Sequence, residues 1–193
     1  MKIIFSEKCL EFSEVGHPES PERVRNAYEF LKGKYEFVSP RPAREEEILK
    51  VHSKELLESV KNNTFFDWDS PNYPNIYEYA LLSAGAAIRA LETRSFSLMR
   101  PPGHHAGRNF LGGFCYFNNI AVAIKNANSR KNVLIVDIDG HHGNGTEDIF
   151  RGSENVVYLS LHRSPYYPGT GLKSYENVVN KPLPQDVGEK VYT

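Results

Sequence analysis

Apolar positions fall into two kinds of run along this chain. Short, nearly continuous stretches rich in β-branched and aromatic residues occur at MKIIF, EFVSP, SFSLMR, NVLIVDID and NVVYLSLH. Each predicts a strand, and Pro40 and Pro42 end the second. Between them lie stretches with helical spacing. SPERVRNAYEFL predicts a helix capped by Ser20 with Pro21 at its first position. REEEILKVH and SKELLESV predict two short helices, the second capped by Ser53. NIYEYALLSAGAAIRALE is apolar or small on almost every face, so it predicts a long helix packed on both sides. CYFNNIAVAIKNA and NGTEDIF predict two more. Residues 133–136 (VLIV) are uninterrupted and apolar, as in a parallel sheet covered on both faces. Strands alternating with helices predict an α/β fold with a mostly parallel sheet. TFFDWDSPNYP breaks the periodicity and predicts a loop, with Trp68 and Asp69 beside Pro71 placed to form a rim.

Composition narrows the classes. The 193 residues are 40% apolar, enough for one domain spanning 1–193 with a sizeable core. A net charge of −1 without a basic block argues against direct nucleic-acid binding. The two cysteines, Cys9 and Cys115, make neither a disulfide framework nor a cysteine zinc site, which fits a reducing cytoplasm. No stretch approaches the roughly 18 apolar residues of a membrane span, and MKIIFSEKCLEF is too short and charged for a secretory signal. The expectation is a cytoplasmic protein without membrane contact.

Three turns rich in reactive residues lie where the predicted strands end: PPGHHAG, DGHHGNG and LHRSPYYPGTG. In parallel sheets, ligands bind beyond the carboxyl ends of the strands. Alternation along a strand puts Asp137, Asp139 and His141 on one side. Asp139 with His141 makes a mixed oxygen and nitrogen pair suited to Zn²⁺ or another borderline divalent ion. Two ligands fall short of the three that a catalytic zinc takes, and the same aspartates would serve equally well as caps of the following turn. His104-His105 follows a stiff Pro-Pro-Gly and offers imidazoles that exchange protons near neutral pH, although adjacent histidines in a loop are usually solvated or packed. Gly112-Gly113-Phe114 and Tyr166-Tyr167-Pro168 read either as aromatic walls of a cleft or as plain core filling.

Taken together, the strings HPESPERV, VHSKELLESV, RPPGHHA, GGFCYFNNIAVA, VLIVDIDGHHGNGTEDIF and SLHRSPYYPGTG resemble the zinc-dependent histone deacetylase family, which includes acetylpolyamine amidohydrolases and acetoin-utilisation proteins. The resemblance implies a three-layer, arginase/deacetylase-like parallel sheet with helices on both faces. It also implies removal of acetyl groups from acetyl-lysine or a related amine such as a polyamine. Asp139 and His141 resemble two of three zinc ligands. His105 resembles the general base and acid, and His104 its hydrogen-bonding partner. Asp137 resembles the carboxylate orienting His104 and, with the carbonyls of Ser160 and Leu161, a potassium site. Phe150, Ser153 and Val156 resemble a second monovalent site. Phe114 and Tyr167 resemble opposite walls of an acyl-lysine tunnel with Gly113 near its floor, and Asp69 the rim aspartate that holds substrate backbone. Asn144 stands where many members carry a second orienting aspartate behind His105, and an amide there implies a lower His105 pKa.

The family's third zinc ligand, an aspartate, and its oxyanion-binding tyrosine have no matching motif here. Asp186 and Tyr192 lie too close to Gly171 to serve. This predicts a sheet incomplete at the C-terminus, exposed strand edges, weak activity of the chain by itself, and a place for a complementing C-terminal half. A non-catalytic acyl-lysine-binding remnant and a two-metal ureohydrolase of arginase type are the competing readings.

Overall fold

A computed structural model describes residues 1–127 and 132–189. The backbone divides into two compact units, Met1–Asn128 and Ser129–Thr193.

In the first unit β1 (Lys2–Ile4) is the centre of a parallel sheet, flanked by β2 (Glu36–Val38) and β3 (Phe96–Ser97). Successive strand residues face opposite ways, and both faces are covered. Ile3 packs with Phe5, Val24, Tyr28 and Leu31, which brings α1 (Glu22–Leu31) onto one face. Ile4 packs with Ala86 and Ala90 of α4 (Ile76–Thr93) on the other. Helix α4 also packs against α5 (Asn119–Asn126). At Gly85 a Cβ would come within 2.0 Å of the Arg41 carbonyl oxygen, so only glycine allows this approach. The short helices α2 (Glu45–Ile48) and α3 (Lys54–Lys61) complete the unit, and the Ser53 hydroxyl accepts from Leu56 N as expected of a cap.

Several expectations are corrected. Ser20 does not cap α1. The helix begins one residue later, with Pro21 at its N-cap, and the Ser20 hydroxyl is bonded to the Glu22 carboxylate instead. REEEILKVH yields only one turn of helix, and SFSLMR pairs over two residues because Arg100 turns inward and Pro101 and Pro102 have no N–H to donate. Cys115, Tyr116 and Phe117 precede α5 as buried turn, and the Asn118 side chain caps it by accepting from Ala121 N.

The second unit is a parallel sheet in the order β4 (Val133–Asp137), β5 (Val156–Arg163), β6 (Val178–Leu183). Strand β6 was not foreseen, because Lys181 and Pro182 interrupt its apolar pattern; an edge strand tolerates both. One face, with Ile135, Tyr158, Ser160, His162, Val178 and Asn180, is buried beneath α6 (Asn144–Phe150) and the turns on either side. On the other face Leu134 is 60% exposed and Val136 52%, and Ile138 just beyond the strand is 69% exposed. The sheet here is therefore covered on one side among the described residues, not on both as the apolar run implied.

Candidate active site

His104 and His105 lie in the turn between β3 and α5, with ring centroids 4.0 Å apart and planes tilted by 49°. His105 is buried and His104 partly so. The turn is held at each flank. Before it, the buried Arg100 guanidinium donates to the Glu19 carboxylate and to the carbonyls of Cys9 and Phe12, and stacks on the Phe12 ring. Pro101 O accepts from Ser83 Oγ at 2.8 Å and Asn119 Nδ2 at 3.0 Å. After it, Ala106 O accepts from Asn118 Nδ2 at 3.0 Å. His52 closes the arrangement. Its Nε2 accepts from Asn118 N at 2.9 Å, so the ring proton sits on Nδ1 and is donated to Gly107 O at 2.8 Å. His52 thus serves the turn as a neutral brace. Its only signal in the sequence is a histidine directly before a helix cap.

The loop of residues 64–74 is tied to the same region, since Ser70 Oγ accepts from Phe114 N at 3.0 Å. Gly113 and Phe114 both have positive φ, 53° and 72°. Glycine adopts this freely, whereas a phenylalanine held there is a strained feature of the sort concentrated at functional sites. The Phe114 ring meets His17 edge-on at 5.1 Å. Asp69 is exposed on the loop, its N–H donated to Asp67 Oδ1.

In the second unit Asp137 ends β4, and Asp139 and His141 follow in bends rather than in the strand. They still meet, but through turn geometry. Asp139 Oδ1 accepts from His141 N at 2.8 Å and lies 3.1 Å from His141 Nδ1. Two donors each about 2.0–2.1 Å from one zinc at a tetrahedral angle stand about 3.3 Å apart, so this pair fits two corners of a zinc site. Among the described residues no group of three or more His, Cys, Asp or Glu side chains could hold a metal. Asp137 accepts from Asp139 N and from Tyr158 OH, and pairs in register with Ser160. Tyr166 stacks on the His141 ring at 5.3 Å, and Tyr167 meets it edge-on at 5.9 Å. Asn144 opens α6, its N–H donated to His142 O. The carbonyls of Phe150 and Val156 both accept from the Asn177 amide, at 2.8 and 2.7 Å.

A buried hydrogen-bond network lies beneath the bends. His142 bonds Thr170 Oγ1 at 2.8 Å and Glu147 Oε2 at 3.0 Å. Burial pushes the Glu147 carboxyl up, but hydrogen bonds from His142, Tyr175 and Asn180 outweigh it and hold the pKa at about 2. His162 bonds Ser160 Oγ and Gly171 O, and burial lowers its pKa. At Gly171, φ is +75° and a Cβ would fall 2.5 Å from the His142 ring, so the two turns close only around glycine. The one available signal was the polar alternation of Ser160 and His162 within an apolar strand.

A model of the histone deacetylase domain matches residues 17–193. The chain belongs to the histone deacetylase family. A probable deacetylase of Archaeoglobus fulgidus is 34% identical over 98% of this chain and 61% of its own length. A histone deacetylase-like amidohydrolase of Pseudomonas aeruginosa is 39% identical over 79% of this chain and 46% of its own. The crystal structure of the HDA15 HD domain superposes with a TM-score of 0.83 at 35% identity, covering 94% of this chain and 61% of that one. The expected arginase/deacetylase-like α/β fold is therefore the fold adopted. The chain spans roughly half to three-fifths of the length of these family members. No helix among the described residues is long and apolar enough to cross a membrane.

Proposed function

We propose that this chain carries the proton-transfer residues and part of the metal site of a zinc-dependent amidohydrolase that removes acetyl groups from acetyl-lysine or a related acetylated amine. The supporting observation is the 3.1 Å approach of Asp139 Oδ1 and His141 Nδ1, a donor pair of the right chemistry and spacing for one zinc ion. Bound there, zinc would polarise an amide carbonyl and acidify water. His105, buried in a braced turn, takes the water proton and returns it to the leaving amine. His104 supports it through ring contact, and the family resemblance gives Asp137 and Asn144 the orienting roles. The family resemblance gives Phe114 and Tyr167 the roles of acyl-chain walls, Gly113 a place where backbone approaches it, and Asp69 the contact to substrate backbone. An acetylated amine carries no charge, so its stem enters an aromatic passage without the cost of burying an ion. Asp137 with the Ser160 and Leu161 carbonyls would hold potassium as a structural ion.

Turnover of an acetyl-lysine peptide, lost with chelator and restored by Zn²⁺, is the test. Asp139→Asn and His105→Ala should each reduce kcat/KM by at least about a hundredfold. Unchanged turnover in either variant counts against the assignment. A second reading, a non-catalytic acyl-lysine-binding module, is favoured by the absence of a three-residue metal cluster among the described residues. Peptide binding without stoichiometric zinc would support it. The same absence weighs against a two-metal ureohydrolase.

A further inference from the structure

The loop of residues 64–74, TFFDWDSPNYP, has a fixed frame and an open outer surface. Asn72 Nδ2 donates to the carbonyls of Asn63 and Phe65 at 3.1 and 3.2 Å, Tyr116 OH donates to Pro71 O at 2.7 Å, and Phe65 packs edge-on against Tyr116. On this frame Phe66 is 77% exposed and Trp68 87%, with ring centroids 5.2 Å apart in an edge-to-face pair. Asp67 and Asp69 alternate with the rings, and the loop contains no Lys, Arg or His. Single exposed apolar residues are ordinary. Two large rings held together on an anchored loop, interleaved with two carboxylates, present π-faces and negative charge to solvent at one place. That combination suits a cation.

We propose that Phe66, Trp68 and Asp67 form a recognition edge for a basic side chain, lysine or arginine, neighbouring the acetylated lysine of a peptide substrate. The proposal rests on the deacetylase reading for the acetyl group and adds the charge of its surroundings. The loop is bonded to Phe114 through Ser70, which sets the edge beside the wall residue of the acyl passage. A peptide carries its neighbouring charges to the side of the acyl chain, where an outward-facing loop meets them. A linear polyamine carries them in line with it.

Trp68 is the only tryptophan, so its fluorescence reports this surface directly. The chain is titrated with acetyl-lysine peptides flanked by arginine, glutamine or glutamate, and with acetylspermidine. The arginine-flanked peptide should shift Trp68 emission and bind at least about fivefold tighter than the glutamine-flanked one, with the gap narrowing in high salt. Phe66→Ala and Asp67→Asn should each bring that ratio toward one. The Asp67→Asn change keeps a side-chain acceptor for Asp69 N and removes only the charge. Equal affinities for all peptides, or acetylspermidine binding more tightly than the arginine-flanked peptide, would overturn the proposal. Hydrolysis of all peptides at equal kcat/KM with unmoved emission removes the recognition edge and leaves the deacetylase reading intact. Charge-selective binding without hydrolysis, even with added zinc, does the reverse.

Discussion

Arg100 shows how a single side chain can govern the histidine turn. It is fully buried beside Glu19, and such a pair recovers its desolvation cost only through good geometry and full hydrogen bonding. Lysine cannot reproduce the fork, so Arg100→Lys should cost about 2–4 kcal/mol, read as a lower urea midpoint. Glu19→Leu alone strands the guanidinium and should cost about 3–5 kcal/mol. The double variant Glu19→Leu/Arg100→Met should lose less than the sum of the two, and additivity would show that the pair is not coupled. Glu47 gives a pH signature. Paired hydrogen bonds from Arg41 hold its pKa at about 2, against the opposing effect of burial. The folded value lies below the ordinary 4.5, so the stabilisation is complete above about pH 4.5 and is lost as pH falls toward 2. With Arg41 half exposed, Glu47→Gln should cost about 2–3 kcal/mol at pH 7 and nearly nothing near pH 2. A stability difference that stayed constant across this range would contradict the assignment.

Elements were legible in proportion to how far local pattern decides them. Helix α4 and strands β1 and β4 announce themselves through periodicity, and Ser53 through its place before α3. The interruption of β6 by Lys181 and Pro182 hid a strand whose pairing with β5 comes from tertiary context. The apolar run of β4 marked the strand, and among the described residues one face of it is covered, because pattern shows that a side chain prefers burial and not whether a neighbour supplies it. Leu134, Val136 and Ile138 stand open on one face, next to Val157 across the β4–β5 pair. Such a face drives association. Light scattering over a concentration series should show the chain self-associating, and Leu134→Lys with Val136→Lys should shift it toward monomer without loss of secondary structure. Ile135→Lys, placed on the buried face, should unfold the unit instead. If the double lysine variant associates as strongly as the parent, another surface is responsible.

For the whole molecule, the candidate site was legible where its residues are neighbours in sequence. His104-His105 and Asp139-Gly140-His141 each form a local unit, and each is found as a contact within its turn. The braces were not legible, because His52 reaches Gly107 and Asn118, and His142 reaches Thr170, across distances that no spacing rule encodes. Zinc affinity is the property that depends on the complete ligand set. Four-ligand structural zinc sites yield about 10–16 kcal/mol, or roughly 2.5–4 kcal/mol per ligand. One missing protein ligand then weakens binding on the order of a hundredfold to several hundredfold. Asp139 and His141 are two donors, and the described residues add no third side chain to the group. Chelator competition on these 193 residues should therefore give a zinc affinity on the order of a hundredfold below that of a three-ligand site, and Asp139→Asn should weaken it further. Binding as tight as a three-ligand site would mean that a third ligand already lies within these residues, and the two-donor account of the site would have to be abandoned.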